Sequence, residues 1–430
     1  MKNISTEELY KIFLQHPVVS TDTRNIPEGS LFFALKGANF NANEFASEAI
    51  KKGCSYTIID EEKYYSDKCI LVPDVLKALQ NLANHHRKQF TIPVIGITGT
   101  NGKTTTKELT AAVLSKKYNT LFTQGNFNNH IGVPLTLLKL TKEHGMAVIE
   151  MGANHVGEID MLSRIAEPDY GIITNIGKAH LEGFGGYEGV IKAKSELYKF
   201  IKEKGGELFI NADDELLVKL ADGVYFTYGM SRDADIRGFQ DNESFLAKGT
   251  IEMIDGEDIQ VNSNLAGSYN FYNILAAACI GYYFEVSPAE IKSAIEEYIP
   301  TNNRSQLTKK GSNTILIDAY NANPSSMKSA IENFAVLQSV NKILILGDMF
   351  ELGEDSAKEH QAIADLIGKS NWGGIYLIGK EFAKVTSKAT LFPSVEDFTK
   401  WLTEHPFKDA TILLKGSRGM QMERVLDKIS

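Results

Sequence analysis

Residues 94–109 read VIGITGTNGKTTTKEL, and the chemistry of the run changes twice along its length. Val94, Ile95 and Ile97 are β-branched and apolar, as a buried strand requires, and a glycine-rich turn follows. Lys103 and three threonines then open a helix. In such a layout the backbone N–H groups of Gly99, Thr100, Asn101 and Gly102 converge with the helix N-terminus on one anion, and Lys103 adds a positive charge. Thr104, directly after the lysine, stands where a phosphate loop places its Mg²⁺ ligand, and Thr105 extends the hydroxyl run. The standard spacing G-x-x-x-x-G-K-[ST] is not met, because Ile97 occupies the first glycine position and Gly96 and Gly99 flank it. A glycine-rich turn that merely caps a helix is the plain alternative. Strand, turn, lysine and hydroxyls in register favour a nucleotide phosphate.

The rest of the chain bounds what that nucleotide serves. At 430 residues the sequence is long enough for about three domains. A net charge of −9 leaves no overall basic face, so the reading excludes nucleic acid and an anionic membrane as partners. Cys54, Cys69 and Cys279 are far apart and odd in number, which fits reduced thiols in a cytoplasm. The opening MKNISTEELYKIFLQ reads as a short amphipathic helix with a Ser/Thr cap and an acidic first turn, not as a signal peptide. No apolar run is long enough for membrane insertion.

Three units follow from the alternation of strand and helix patterns, at 1–83, 84–301 and 302–430. The first is small and mixed, with strands at 30–35 and 54–60 around a helix at 44–53. The second opens with a helical stretch at 75–90 and the phosphate-loop strand, then repeats apolar strands at 146–151, 170–176 and 207–212. Such alternation predicts a mostly parallel sheet covered on both faces. Residues 223–263 carry shorter strands and turn signals, so an antiparallel edge or hairpin is expected there, before a helix at 269–284. After YIPTNNRS the third unit presents strands at 313–320, 341–348, 373–380 and 410–416. The fold class is therefore α/β: a small cap, a central P-loop-type domain and a C-terminal Rossmann-like domain. In open sheets of this kind ligands bind at the carboxyl ends of strands.

Those ends carry the candidate residues. Glu150 closes its strand and is placed to hold Mg²⁺ directly or through water, although a salt bridge or helix cap would use it equally. Thr174, Asn175 and His180 fall in the glycine-rich loop TNIGKAHLEGFGG. A lone histidine there reads first as packed or exposed. Lys194 belongs to a helix at 189–200 whose lysines read as a solvated face. Asn270 and Asn273 share one helix face at i, i+3, fit for reading a base edge or for capping. Asp318, Asn321 and Asn323 lie in DAYNANPSSM, where Pro324 suits a helix start and Asn323 its cap. GNFNNHIGVP (125–134), with Asn126, Asn128 and Asn129, is too polar for a core and reads as a loop lining the site.

These segments together resemble the Mur ligases, ATP-dependent enzymes that form amide bonds in peptidoglycan synthesis. The likeness covers nearly the whole length. TGTNGKTT is similar to the family's phosphate loop, which accounts for Ile97. GNFNNHIGVP, IEMGANHVGEI, NIGKAHLEGFG, KAKSE, DAYNANPSSM, LGDMFELG and KGSRGMQME resemble the branch that joins D-alanyl-D-alanine to a UDP-N-acetylmuramoyl-tripeptide. The DNPR-type motif of the tripeptide-forming branch is absent. Folylpolyglutamate synthases share the phosphate loop but are not expected to carry DAYNANP or the N-terminal unit. A P-loop switch that controls a partner would leave that N-terminal unit without a use.

The resemblance implies site residues that the bare sequence does not. His180 matches a histidine ligand of a second Mg²⁺, and Lys194 a lysine carbamylated by CO₂. A protonated ammonium repels Mg²⁺, whereas a carbamate offers two anionic oxygens. With Thr104 and Glu150 these would serve two ions. Asn270, Asn273, Arg304 and Asp318 match nucleotide-holding positions. Lys415, Ser417 and Arg418 match a segment that faces the reacting carboxylate and phosphate. STDTRNIPEGSLFFALKGANFNANEF resembles the family's UDP-binding segment, usually D-[ST]-R…G-D-x-F-x-A-x-x-G…D-G-H-D-F, through Thr21, Asp22, Thr23, Arg24 and Gly37. Asn41-Ala42-Asn43-Glu44 replaces D-G-H-D, with Asn43 still able to hydrogen-bond. Tyr269 stands where the family often has histidine. A monomeric, cytoplasmic enzyme is implied.

Overall fold

The computed structural model describes residues 4–231, 233–241, 245–301, 303–339 and 341–429. Its phosphate-loop strand, Val94–Thr98, is buried along its whole length inside a nine-stranded sheet. It pairs in parallel with Met146–Glu150 on one side and Tyr170–Ile173 on the other. The register sets Ile97 opposite Glu150 and Thr98 opposite Ile173, so the phosphate loop, Glu150 and the Thr174–Asn175 loop leave the same edge together. Because the chain crosses to opposite sides of the central strand, a crevice opens at that edge, as at any topological switch point.

Beyond Tyr170–Ile173 come Glu207–Asn211, Tyr225–Gly229 and Ile236–Gln240, all parallel. Only the last two pairings, through Leu246–Glu252 to Asp258–Ala266, are antiparallel. The segment expected to be a hairpin thus begins as a continuation of the parallel sheet. The alternation of buried and exposed residues in Asp258–Ala266 marks it as half-solvated, unlike the wholly buried central strands.

Two helices brace the phosphate loop from below. Lys103–Leu114 begins at Gly102 and packs against Asn270–Tyr283. The latter is apolar almost all round, with Phe271, Ile274, Leu275 and Ile280 fully buried. Each such side chain contributes about 1.5–3 kcal/mol through burial, so the phosphate-loop edge of the sheet rests on a rigid floor.

The N-terminal unit is a four-stranded parallel sheet, and its first helix, Thr6–Gln15, starts at a Ser5/Glu8 capping box. Its expected end at residue 83 falls inside the helix Val75–Arg87, which packs on both Thr6–Gln15 and the central domain's Glu158–Ala166. Leu79, Leu82 and Ala83 bury its apolar face, so one continuous stripe serves two units. The C-terminal unit is a six-stranded sheet with a single antiparallel edge, Gln306–Lys310. There Asp318 lies in register with Lys415, at the carboxyl ends of adjacent strands.

Candidate active site

The phosphate loop is held by its neighbours before any ligand arrives. Asn175 brackets Asn101, accepting from its N–H at 3.0 Å and donating to its carbonyl at 3.0 Å. Thr174 Oγ1 donates to the same carbonyl at 2.6 Å. Gly99 and Gly102 have φ of +144° and +79°, and a Cβ on Gly102 would stand 2.6 Å from Asn273 Oδ1. Only glycine gives the backbone both that turn and that approach. Lys103 Nζ folds back onto the carbonyls of Gly99 and Thr100, at 2.8 and 3.0 Å. Burial pushes its ammonium down to about 8, with Arg304 adding repulsion and Glu150 opposing it.

Glu150 lies one strand away and is 1% exposed. Its Oε1 accepts from Thr104 Oγ1 at 3.2 Å and from Asn128 Nδ2 at 2.7 Å, while Oε2 is buried with no hydrogen-bond partner. An orphaned buried carboxylate oxygen is costly unless a cation completes it. Among the described residues no three His, Cys, Asp or Glu side chains gather as a metal cage. Mg²⁺ does not ask for one: it takes one or two carboxylates and fills its octahedron with phosphate oxygens and water. Thr104 and Glu150 fit that donor set.

His180 lines the same cavity, at the start of a short helix and with φ +51°. Burial lowers its pKa, against the pull of Glu351, whose carboxylate touches Nδ1 without an aligned hydrogen bond. Lys194 is 2% exposed rather than solvated, because its helix, Tyr187–Lys204, turns that residue inward. Its amine is pushed down to about 7, first by burial and then by Lys103. It does not form part of the cavity wall itself.

The cavity, about 680 Å³, is built by two domains. The central domain supplies Thr100 to Thr105, Asn126, Asn128, Asn129, Glu150, Asn175, His180, Asn270 and Asn273; the C-terminal domain supplies Arg304, Asp318, Asn321, Asn323 and Lys415. Asn323 does cap the helix Pro324–Val336, accepting from Ser326 N at 2.9 Å, yet its Nδ2 also reaches Asn101 Oδ1 at 2.8 Å. Asn270 and Asn273 face inward as a linked pair, 2.8 Å apart, with Thr106 Oγ1 on Asn273. They are not caps. Asp318 pairs with the buried Lys415. Arg304 stacks on Tyr320, its carbon 3.5 Å from the ring centre, and its Nε is buried without a partner.

Other expected residues are placed differently. Ser417 is buried, accepting from Phe350 N at 2.9 Å and donating to Ala322 O, and serves the loop rather than the cavity. Arg418 is exposed and reaches Tyr320 Oη at 3.3 Å, outside the cavity. Asn129 lines the cavity but uses its side-chain oxygen, Oδ1, to accept from the N–H groups of Ile131 and Gly132. Thr21, Asp22, Thr23, Arg24 and Gly37 lie on the N-terminal unit, away from this cavity, with Asp22 held at about 2 by two-point pairing to Arg24. Asn43 cannot read a ligand as placed. It is fully buried, and its amide is used by Ala34 O, Asn41, Asp60 Oδ1 and Asp60 N. Tyr320, Ser325 and Glu158 line the site without having been singled out, although Tyr320 and Ser325 stand inside DAYNANPSSM.

The Mur ligase middle domain matches residues 97–281, and the Mur ligase glutamate ligase domain matches residues 303–418. The UDP-N-acetylmuramoyl-tripeptide–D-alanyl-D-alanine ligase of Bacillus subtilis is 36% identical, over 95% of this chain and 92% of its own. That of Escherichia coli is 34% identical, over 99% and 96%. Among solved structures, MurF from Acinetobacter baumannii superposes with a TM-score of 0.87 at 28% identity, covering 100% of this chain and 99% of that one. MurF from Thermotoga maritima in complex with ADP gives 0.86 at 28% identity, covering 96% and 97%. A phosphate loop, an acidic strand end and a C-terminal domain closing one cavity are thus the parts of a known enzyme architecture, and the chain belongs to the Mur ligase family.

Proposed function

We propose that the chain joins D-alanyl-D-alanine to a UDP-N-acetylmuramoyl-tripeptide at the expense of ATP, in cytoplasmic peptidoglycan precursor synthesis, acting as a monomer. The observation that carries the reading is the shared cavity. The phosphate loop, Glu150 and His180 meet Arg304, Asp318 and Lys415 of the second domain inside it. The relatives from Bacillus subtilis and Escherichia coli are named as UDP-N-acetylmuramoyl-tripeptide–D-alanyl-D-alanine ligases.

The loop amides from Gly99 to Gly102 and the helix behind them take the β- and γ-phosphates. Lys103 turns from the loop carbonyls to the phosphate as negative charge arrives, which holds its ammonium charged more firmly. Asn273, Arg304 and Asp318 hold the nucleoside end, and Asn270, its amide taken up by Ala266 O, Ser305 Oγ and Asn273, keeps Asn273 in place. Thr104 and Glu150 would hold one Mg²⁺, and His180 with a carbamate on Lys194 would hold a second. When bound, the ions neutralise charge on the transferred phosphoryl group. The carboxylate of the tripeptide attacks the γ-phosphorus, and ADP leaves. The dipeptide amine then attacks the acyl phosphate carbon, loses a proton and expels phosphate. Asn126, Asn128, Asn321, Asn323 and Lys415 position the reacting groups, and the closed cavity keeps water from the acyl phosphate. Thr21 to Arg24 and Gly37 bind the UDP end.

A tripeptide labelled with ¹⁸O in its terminal carboxylate tests the acyl phosphate. One labelled oxygen should appear in the released phosphate. Unlabelled phosphate would mean that the carboxylate was never phosphorylated.

A further inference from the structure

The segment 177–182, which carries His180, is gripped from both sides. On the central domain, Gly177 N donates to Thr100 Oγ1 at 2.9 Å, and that hydroxyl donates back to the Gly177 carbonyl at 3.2 Å. The segment is therefore tied to the phosphate loop. On the C-terminal domain it is held at three further points. Lys178 N donates to Ser325 Oγ at 2.8 Å, and Lys178 Nζ pairs with Glu359 at 2.6 Å. The Glu359 side chain is only 7% exposed, so the pair is shielded from solvent on the acid's side. The third point is Glu351, whose carboxylate touches His180 Nδ1 and whose carbonyl accepts from Glu182 N at 3.5 Å.

The backbone at that third point is not relaxed. His180 has φ +51° and Glu351 φ +62°, both left-handed and neither glycine. Such conformations cost of order 1 kcal/mol each and persist where the surroundings over-determine them. Glycine follows at Gly353, φ +53°, where a Cβ would sit 3.2 Å from Glu182 Cβ.

From this geometry we infer that Glu351 is a positioning residue for His180, so that docking of the C-terminal domain orients the imidazole and completes the cation site of the central domain. The inference rests on the ligase reading for the role of His180. The Glu351 carboxylate packs against Nδ1 without being aligned as a hydrogen bond; turned onto a proton on that nitrogen, it would leave Nε2 as the electron-pair donor. The metal centre and the domain interface are then one device: a ligand that docks the domain finishes the site, and an undocked enzyme does not spend ATP.

Glu351→Ala and Glu351→Gln test this, since the side chain is 57% exposed and its loss should not unfold the chain. Mn²⁺ binding is counted by electron paramagnetic resonance with ADP and the UDP-tripeptide present and no dipeptide, so that nothing turns over. Glu351→Ala should weaken one of two Mn²⁺ ions about ten- to a hundredfold and lower kcat by a similar factor, with KM for ATP little changed. Glu351→Gln, which still offers an oxygen to Nδ1–H, should recover most of both. Wild-type Mn²⁺ affinity in Glu351→Ala would overturn the inference. So would an equal loss in both variants, because it would show a need for charge rather than for orientation. If the wild-type enzyme binds Mn²⁺ but releases no tripeptide-dependent phosphate, the ligase reading fails by itself, and the Mn²⁺ comparison still decides the role of Glu351.

Discussion

Lys194 shows how far a single residue can stand from its sequence appearance. Three lysines along a helix look like a solvated face, and nothing in the local spacing distinguishes the one that turns inward. Burial does, by pushing its amine down to about 7, so that a free base exists near neutral pH. Only the neutral amine attacks CO₂, so carbamylation of the nucleotide-free enzyme should rise as pH increases through about 7. With ¹³C-bicarbonate, the carbamate signal should be small at pH 6 and near its plateau at pH 8. Lys194→Ala should be nearly inactive and regain part of its turnover with short added carboxylates. Full wild-type turnover in that variant would remove the carbamate from the mechanism.

Residue-level legibility was uneven for a physical reason. Gly99, Gly102, Lys103 and Thr104 were readable because a phosphate loop is local, built from consecutive backbone groups. Asn43 was not, because whether an amide reads a ligand or is used internally depends on partners such as Asp60, seventeen positions away. Arg304 was placed by resemblance alone. Its stacking on Tyr320 follows from the hairpin Gln306–Lys310/Asn313–Asp318, whose open end brings the two side chains together.

At the scale of elements, the helix Pro324–Val336 does two things with one side chain. Asn323 caps it, as the Asn-Pro pair announced, and the same amide's nitrogen reaches the phosphate loop. The two roles separate by substitution. Asn323→Asp keeps the capping oxygen but loses the donor to Asn101, so it should melt close to wild type while raising KM for ATP. Asn323→Ala loses both and should also be less stable by about 1 kcal/mol. If Asn323→Asp left KM unchanged, the contact with Asn101 would have no part in nucleotide binding. Strands were legible by their apolar runs, but pairing direction was not. Tyr225–Gly229 joins its neighbours in parallel because its partners lie on either side through crossovers, whereas its short length and turn signals had suggested a hairpin.

Across the whole molecule, the site belongs to neither large domain alone. Three alternating series of strands and helices were visible in the sequence, with a boundary expected near residue 300. That the helix Val75–Arg87 runs through the boundary expected at 83 was not visible, because it presents a single apolar stripe to two units. Nor was the grip on 177–182, since Lys178–Glu359 and His180–Glu351 join residues more than 170 apart. A cavity shared between domains needs them to separate for substrates to enter. Small-angle scattering should therefore show compaction when nucleotide and the UDP-substrate are both bound. No change in radius of gyration would argue for a rigid cleft.

The central claim is that ATP is spent only to join a dipeptide to a tripeptide. Phosphate release by the purified protein should be measured with Mg-ATP and UDP-N-acetylmuramoyl-tripeptide, with and without D-alanyl-D-alanine, using diaminopimelate and lysine tripeptides and D-alanine or glutamate as control amines. Sustained release that requires both the tripeptide and D-alanyl-D-alanine is the predicted result. Release that ignores the tripeptide would contradict it.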